Sequence, residues 1–303
     1  QVNRRLIAAV QKVHPCGTAT LDADASIHQS RKKQAFSTYE GEHGYQPVVV
    51  TWAEQHLLVA DQFRDGNVPA SMGNVEVAKR AIANLPEGGR TIRYRADAAS
   101  YDHERMRYLD DSAHPFGISA RVSPQLRDAI RAMPKDAWRP APKKNGRSTD
   151  REYAEVPYVP SEARERKGMR PFRYVAIRVL RRQYSLFDDD DVVGSAAAEA
   201  CTQDARYRYY AVVTNIPEEE KDSATLINWH RQKCGTVEYE HDVLKNDLAA
   251  ATFPSKDFGA NAAWYRLNVI TRNLFTLISL GLPKEYQCAR PHTIRQAIVR
   301  VAG

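Results

Sequence analysis

Hydrophobic and polar positions alternate with a period of two from Thr18 to Ala25 (TATLDADA), the spacing of a strand, before a polar loop runs to Lys33. Tyr45 to Thr51 and Leu57 to Phe63 read as two further strands joined by a turn, which would complete a three-stranded meander. Ser71 is the predicted cap of a helix whose apolar residues Val75, Ala78, Ile82 and Leu85 recur at helical spacing until Glu87-Gly88-Gly89 breaks it. Thr91 to Ala96 is the next predicted strand and ends at Asp97. Ser100 opens a second helix through about Leu109, Phe116 to Val122 is a short apolar strand, and Pro124 to Met133 is a third helix with proline at its favoured first position.

At Trp138 the pattern changes. The stretch WRPAPKKNGRSTD is rich in proline and base and reads as a linker. Three strand-like runs follow, Tyr153 to Val159, Phe172 to Leu180 and Arg206 to Thr214, the last dense in aromatic and β-branched residues. From Asp222 the chain turns helical, ending in a long helix from Ala260 to about Leu280 that is apolar on most sides and is therefore expected to be buried. Asp188 to Asp191 form a short acidic run, expected in a solvated hairpin loop. This order predicts an α/β fold, an RNase H-like mixed sheet flanked by helices and interrupted by a β-rich insertion domain. The expected division is residues 1–137 as the first part of the core, 138–221 as a basic β-rich insertion, and 222–303 as the C-terminal helices of the core.

The 303 residues carry a net charge of +7, and its placement matters more than its size. Thirteen basic and five acidic residues lie between Arg139 and Arg182, so this segment holds +8 and the remainder −1. A concentrated basic stretch suits a polyanion, because each neutralised phosphate releases counterions; a solvated charged face is the competing reading. The four cysteines are scattered without a zinc-type pair, so reduced thiols in a cytoplasmic protein are expected. No run approaches the ~18 apolar residues of a membrane span, and no membrane partner is expected.

The candidate chemistry lies in carboxylates. Strands disfavour aspartate, so Asp22 and Asp24, two apart and on one face of the first strand, need a reason to be there. Asp97 ends the fourth strand, which can neighbour the first, and Glu238 lies on a later helix. Carboxylates from adjacent strands and a covering helix can hold two divalent ions about 4 Å apart for phosphodiester chemistry. Lys245, seven residues after Glu238, would lie roughly 10 Å along the same helix face, where it could meet a flanking phosphate or simply face solvent. His230 and His241 flank Glu238 and could touch phosphate or metal, although lone histidines are more often structural.

The segment WHRQKCGTVEYEHDVLKND resembles the Y-R-E-K signature of bacterial insertion-sequence DDE transposases, in the form R-G-x-x-E-x-x-x-x-x-L-K, with Gly235, Glu238, Leu244 and Lys245 matching. LDADAS is similar to that family's first-aspartate strand, GYQP to the turn after it and RADAASYDHE to its second-aspartate segment. RYRYYAVVTN and FGANAAWYRLNVITRNLF are similar to its late strand and C-terminal helix. The resemblance implies Asp24, Asp97 and Glu238 as catalytic metal ligands, two Mg²⁺ or Mn²⁺ ions, and Lys245 as a DNA contact. It favours Asp24 over Asp22, because the family's aspartate precedes a small residue and then Ser or Thr, as in Asp24-Ala25-Ser26.

Two positions depart from the signature: Arg231 and Cys234 stand where Tyr and Arg are expected. Arg231, Lys143, Lys144, Arg181 and Arg182 complete the expected DNA-binding set. The implied activity is metal-dependent cleavage and strand transfer at insertion-sequence ends, by a homodimer on DNA associated with the bacterial nucleoid. The alternative is a truncated or inactive relative that only binds DNA; a structure-selective nuclease would keep the carboxylates without the signature. About seventeen residues precede the first strand, too few for a two-helix recognition motif, so sequence-indifferent binding is expected of this chain.

Overall fold

The computed structural model of the chain describes residues 1–69, 71–141, 150–161, 171–180 and 206–300. It contains two compact units, Gln1–Pro115 with Arg231–Gly303, and Phe116–His230.

The first unit opens with α1 (Val2–Val13) and holds a mixed four-stranded sheet built from β1 (Thr18–Ala25), β5 (Val48–Trp52), β6 (Leu57–Gln62) and β7 (Thr91–Ala96). Three short strands, β2 (His28–Gln29), β3 (Phe36–Ser37) and β4 (His43–Tyr45), form a separate small sheet between β1 and β5 in the chain. The predicted meander is present: β1 runs antiparallel to β5, and β5 antiparallel to β6. Its second strand starts later than expected. Pro47 has no N–H for a ladder, and the chain breaks there into β4 and β5. Gly44 is required in β4 because an added Cβ would collide with the backbone of His28 on β2.

β7 lies on the other side of β1 and parallel to it, with the register running from Thr18 opposite Thr91 to Ala23 opposite Ala96. The parallel crossover passes through α2 (Asn74–Ala83), and α3 (His103–Asp111) follows β7, capped by Asp102 rather than opened at Ser100. After residue 230 the first unit resumes with α6 (Val237–Asp242), continued by a π-helical turn at Val243–Asp247, and then α7 (Phe258–Leu280). Val49 and Leu58 of the sheet, Val237 and Leu244 of the α6 segment, and Tyr265 and Val269 of α7 form one buried cluster.

α7 corrects an expectation. Its buried face is largely polar, with Asn261, Asn268, Arg272, Asn273 and Thr276, while Leu267, Leu274 and Ile278 are exposed. The inward polar groups have specific tasks. β6 is an edge strand of this unit's sheet, and Asn273 accepts from Leu58 N–H at 2.8 Å and donates to Leu58 C=O at 2.8 Å, so the backbone of that edge is satisfied by a side-chain amide. Thr276 donates to the carbonyl of His56, and Arg272 grips Glu240 of α6 through Nε and Nη2 at 2.6 and 2.8 Å. Abundance of apolar residues therefore does not make this helix buried all round, and its polar residues decide which side faces inward.

The second unit contains β8 (Phe116–Ala120), α4 (Pro124–Arg131), β9 (Arg139–Pro140), β10 (Arg151–Val156), β11 (Arg173–Leu180), β12 (Tyr207–Thr214) and most of α5 (Ser223–Arg231). Its strands lie in the order β8, β12, β11, β10, β9, and every pairing among them is antiparallel. Val175, Ile177, Val212, Leu226, Ile227 and Trp229 are buried together. Trp138 is buried as well, with the Arg178 guanidinium stacked 4.2 Å from its ring centroid. No helix among the described residues is long and apolar enough to cross a membrane.

Candidate active site

The parallel register of β1 and β7 fixes the first two carboxylates. Asp24 and Asp97 each follow the paired residues Ala23 and Ala96, so they stand at the C-terminal ends of neighbouring strands, which lie about 4.8 Å apart. Asp97 also caps a short turn, its Oδ1 accepting from Ser100 N–H at 3.1 Å. Glu238 is in the first turn of α6, and α6 packs against β1 and β5. The electrostatics report the same grouping. Asp24 is pushed up to about 6, first by burial and then by the charges of Asp97 and Glu238, with Lys233 acting against them. Carboxylates of three elements thus share one field.

Two groups touch Asp24 directly. Lys233 Nζ lies 3.5 Å from Oδ1, and His241 Nε2 lies 3.8 Å from Oδ2. Both side chains are buried. Burial, followed by the charge of Lys245, holds His241 down at about 3, so its ring is neutral at neutral pH. His28 is held well below the usual imidazole range by burial, with Lys245 and His241 adding to the effect, and its ring nitrogens are unpartnered. Lys245 is half-buried. Burial lowers it, and Asp24 is the strongest charge opposing that effect. The π-helical turn means that Lys245 is not two regular α-turns from Glu238, as the spacing had predicted; such wide turns are frequent at functional sites.

Asp22 has a different role from Asp24. It is fully buried and accepts from Arg95 through two bonds, Nε to Oδ1 at 2.6 Å and Nη2 to Oδ2 at 2.8 Å. Thr236 Oγ1 donates to the same carboxylate, and Arg95 Nη1 donates to Gln232 at 3.3 Å. Asp22 and Arg95 are register partners on β1 and β7, and Thr236 precedes Glu238 by two residues. One buried ion pair therefore ties together the strands of Asp24 and Asp97 and the start of the Glu238 helix. The sequence signal was present in both halves, two charged residues inside strands, but only the pairing register reveals that they satisfy each other.

The donor chemistry suits a hard divalent ion, with oxygen ligands only, from two strand ends and a helix, and with the charges of Asp97 and Glu238 helping to raise Asp24. Among the described residues, however, no three His, Cys, Asp or Glu side chains are drawn together as a chelating group. Cys234, at the signature's arginine position, is exposed, and burial and then the charge of Glu238 push its thiol up; a thiol supplies no cation in either form. Arg231 is half-buried at the end of α5. Lys143, Lys144, Arg181 and Arg182 lie outside the described residues, as does Asp188 to Asp191. Within the basic segment that is described, Arg173 pairs with Glu155 and Glu218, and Arg178 with Glu152, so these two cations are internally matched.

A model of the family described as Transposase DDE domain group 1 matches residues 1–303. No match was found among curated proteins. Among solved structures, the chain is similar to piggyBac transposase in a synaptic complex with hairpin DNA, seen by electron cryomicroscopy, with a TM-score of 0.49 and 10% identity over 95% of this chain and 53% of that one. The chain spans about half the length of that transposase.

Proposed function

The chain belongs to the Transposase DDE domain group 1 family, and from that premise we propose that it cleaves DNA at insertion-sequence ends and transfers the freed strand, with Asp24, Asp97 and Glu238 as the reacting centre. The observation that carries this reading is the placement of Asp24 and Asp97 on the ends of neighbouring parallel strands, with Glu238 acting on Asp24 from α6. Mg²⁺ or Mn²⁺ ions held by these carboxylates would supply charge for the attacking and leaving oxygens of an in-line displacement.

The chain's own residues do the positioning. The sheet fixes Asp24 and Asp97, the Asp22–Arg95–Thr236 link orients the start of α6, and Lys245 supplies a cation for a flanking phosphate. The full burial of Asp22 against Arg95 supports Asp24 as the ligand of the pair. Arg231 and the basic segment with Lys143, Lys144, Arg181 and Arg182 would add phosphate contacts, and a homodimer on nucleoid DNA would bring two ends together.

A second reading, a relative that binds DNA without cutting it, draws on one observation: Lys233 already stands against Asp24. Incubation with a mixed DNA pool and Mg²⁺ or Mn²⁺, followed by sequencing of nicks and joined products, separates them. Metal-dependent nicking and joining support the first, and binding with unaltered DNA supports the second.

A further inference from the structure

Lys233 is out of place for a surface cation. It is 6% exposed, in the 3-10 turn Gln232–Gly235 that leads into α6, and its backbone is held, with Thr236 N–H donating to Lys233 C=O at 3.1 Å. Thr236 is itself fastened to Asp22. The fixed backbone directs the stem inward, and the ammonium ends 3.5 Å from Asp24 Oδ1. Lys233 is thus the close counter-charge for a carboxylate that also feels Asp97 and Glu238.

We propose that Lys233 is an internal cation that competes with the divalent ion for Asp24, and that its ammonium must leave Oδ1 before Asp24 can serve as a ligand. The inference rests on the reading of Asp24 as a metal ligand. Its logic is electrostatic. Bringing several carboxylates together at a partly dry strand end is costly unless a cation lies among them, and a buried ammonium is costly without a carboxylate. A divalent ion carries twice the charge of the ammonium and takes several oxygens at once, so it can displace it, while the four-carbon stem lets the ammonium move with the backbone fixed. Metal occupancy then depends on a competition set by one side chain.

The test uses the full chain and Mn²⁺ alone, with free Mn²⁺ read by its EPR signal. Lys233→Met removes the charge and keeps the bulk, and should bind Mn²⁺ at least about tenfold tighter than the wild type; Lys233→Arg, which keeps the charge, should stay within a few-fold of it. Unchanged or weaker binding by Lys233→Met would overturn the proposal. Asp24→Asn separates the two levels: if it leaves Mn²⁺ binding intact, the reading of Asp24 as a ligand fails and this inference with it, whereas lost binding in Asp24→Asn with no gain in Lys233→Met sinks the inference alone. A second measurement needs no variant. Amine labelling of Lys233 in the wild type, read by mass spectrometry, should rise several-fold on adding Mn²⁺; constant labelling would contradict the displacement.

Discussion

Replacing Arg95 by Met tests the buried link beneath the site. Arg95 is 2% exposed and Asp22 fully buried, and their bidentate bonds of 2.6 and 2.8 Å place the pair in a medium where water cannot compensate for a lost partner. Arg95→Met keeps most of the apolar stem and leaves a buried carboxylate with Thr236 as its remaining partner. Removing one member of such a pair costs about 3–5 kcal/mol, a large share of the roughly 5–15 kcal/mol that holds a typical protein folded. Replacing both partners by apolar residues, as in Asp22→Leu with Arg95→Met, should recover most of that loss, because no unpaired charge remains.

The assay is urea unfolding followed by far-UV circular dichroism, with the double-mutant cycle completed by Asp22→Leu alone. A positioning role adds a second readout. Folded Arg95→Met, measured at low temperature and without urea, should bind Mn²⁺ more weakly than the wild type, since Asp22, which holds Thr236 at the start of the Glu238 helix, loses its tie to β7 and the Asp97 strand. A cost below about 1 kcal/mol for Arg95→Met would refute the reasoning, by showing that Asp22 finds other partners or water.

The Arg272–Glu240 pair, also buried and bidentate, should behave similarly: Arg272→Met should lose about 3–5 kcal/mol by the same urea assay, through detachment of α6 from α7. Acid should destabilise the fold through His241, which titrates at 6.5 when unfolded and at about 3 when folded. Its contribution is complete above pH 6.5 and is lost as pH falls toward 3, up to roughly 4–5 kcal/mol, and His241→Gln should flatten the urea midpoint against pH over that window. Asp24 acts in the opposite sense between about 6 and 3.8, where the folded state takes up a proton and gains stability as pH falls, so Asp24→Asn should remove that gain. Lys245→Ala should weaken DNA binding on all sequences and reduce the salt slope by about one unit, measured by fluorescence anisotropy across a KCl series.

Much of the first unit was legible in residue order. Alternation marked β1, and the strand runs Leu57 to Phe63 and Thr91 to Ala96, the latter ending at Asp97, anticipated β6 and β7, because such patterns are local properties. The partnership of Asp22 with Arg95 was not legible, since it depends on a parallel register between strands that five other strands and a helix separate in the chain. Asp24 could be preferred only through the family pattern, although the physical distinction is sharp once Asp22 is seen to be paired. α7 misled for a related reason. Its polar residues serve partners far away in sequence, Asn273 with Leu58 and Arg272 with Glu240, and hydropathy along one helix carries no information about those partners. Nothing in the sequence pattern sets Lys233 apart from the neighbouring bases; its burial and its contact with Asp24 do.

The central claim is that Asp24, Asp97 and Glu238 form one metal-dependent centre for DNA chemistry. The most direct test measures single-turnover DNA nicking in Mg²⁺ or Mn²⁺ by the wild type and by Asp24→Asn, Asp97→Asn and Glu238→Gln, beside DNA affinity for each. The account predicts that every one of the three variants loses nicking by at least about a hundredfold, the scale on which removal of transition-state charge stabilisation acts, while DNA affinity stays within a few-fold of the wild type. Nicking that persists at the wild-type rate in any one variant, or that survives chelation of the metal, would contradict it.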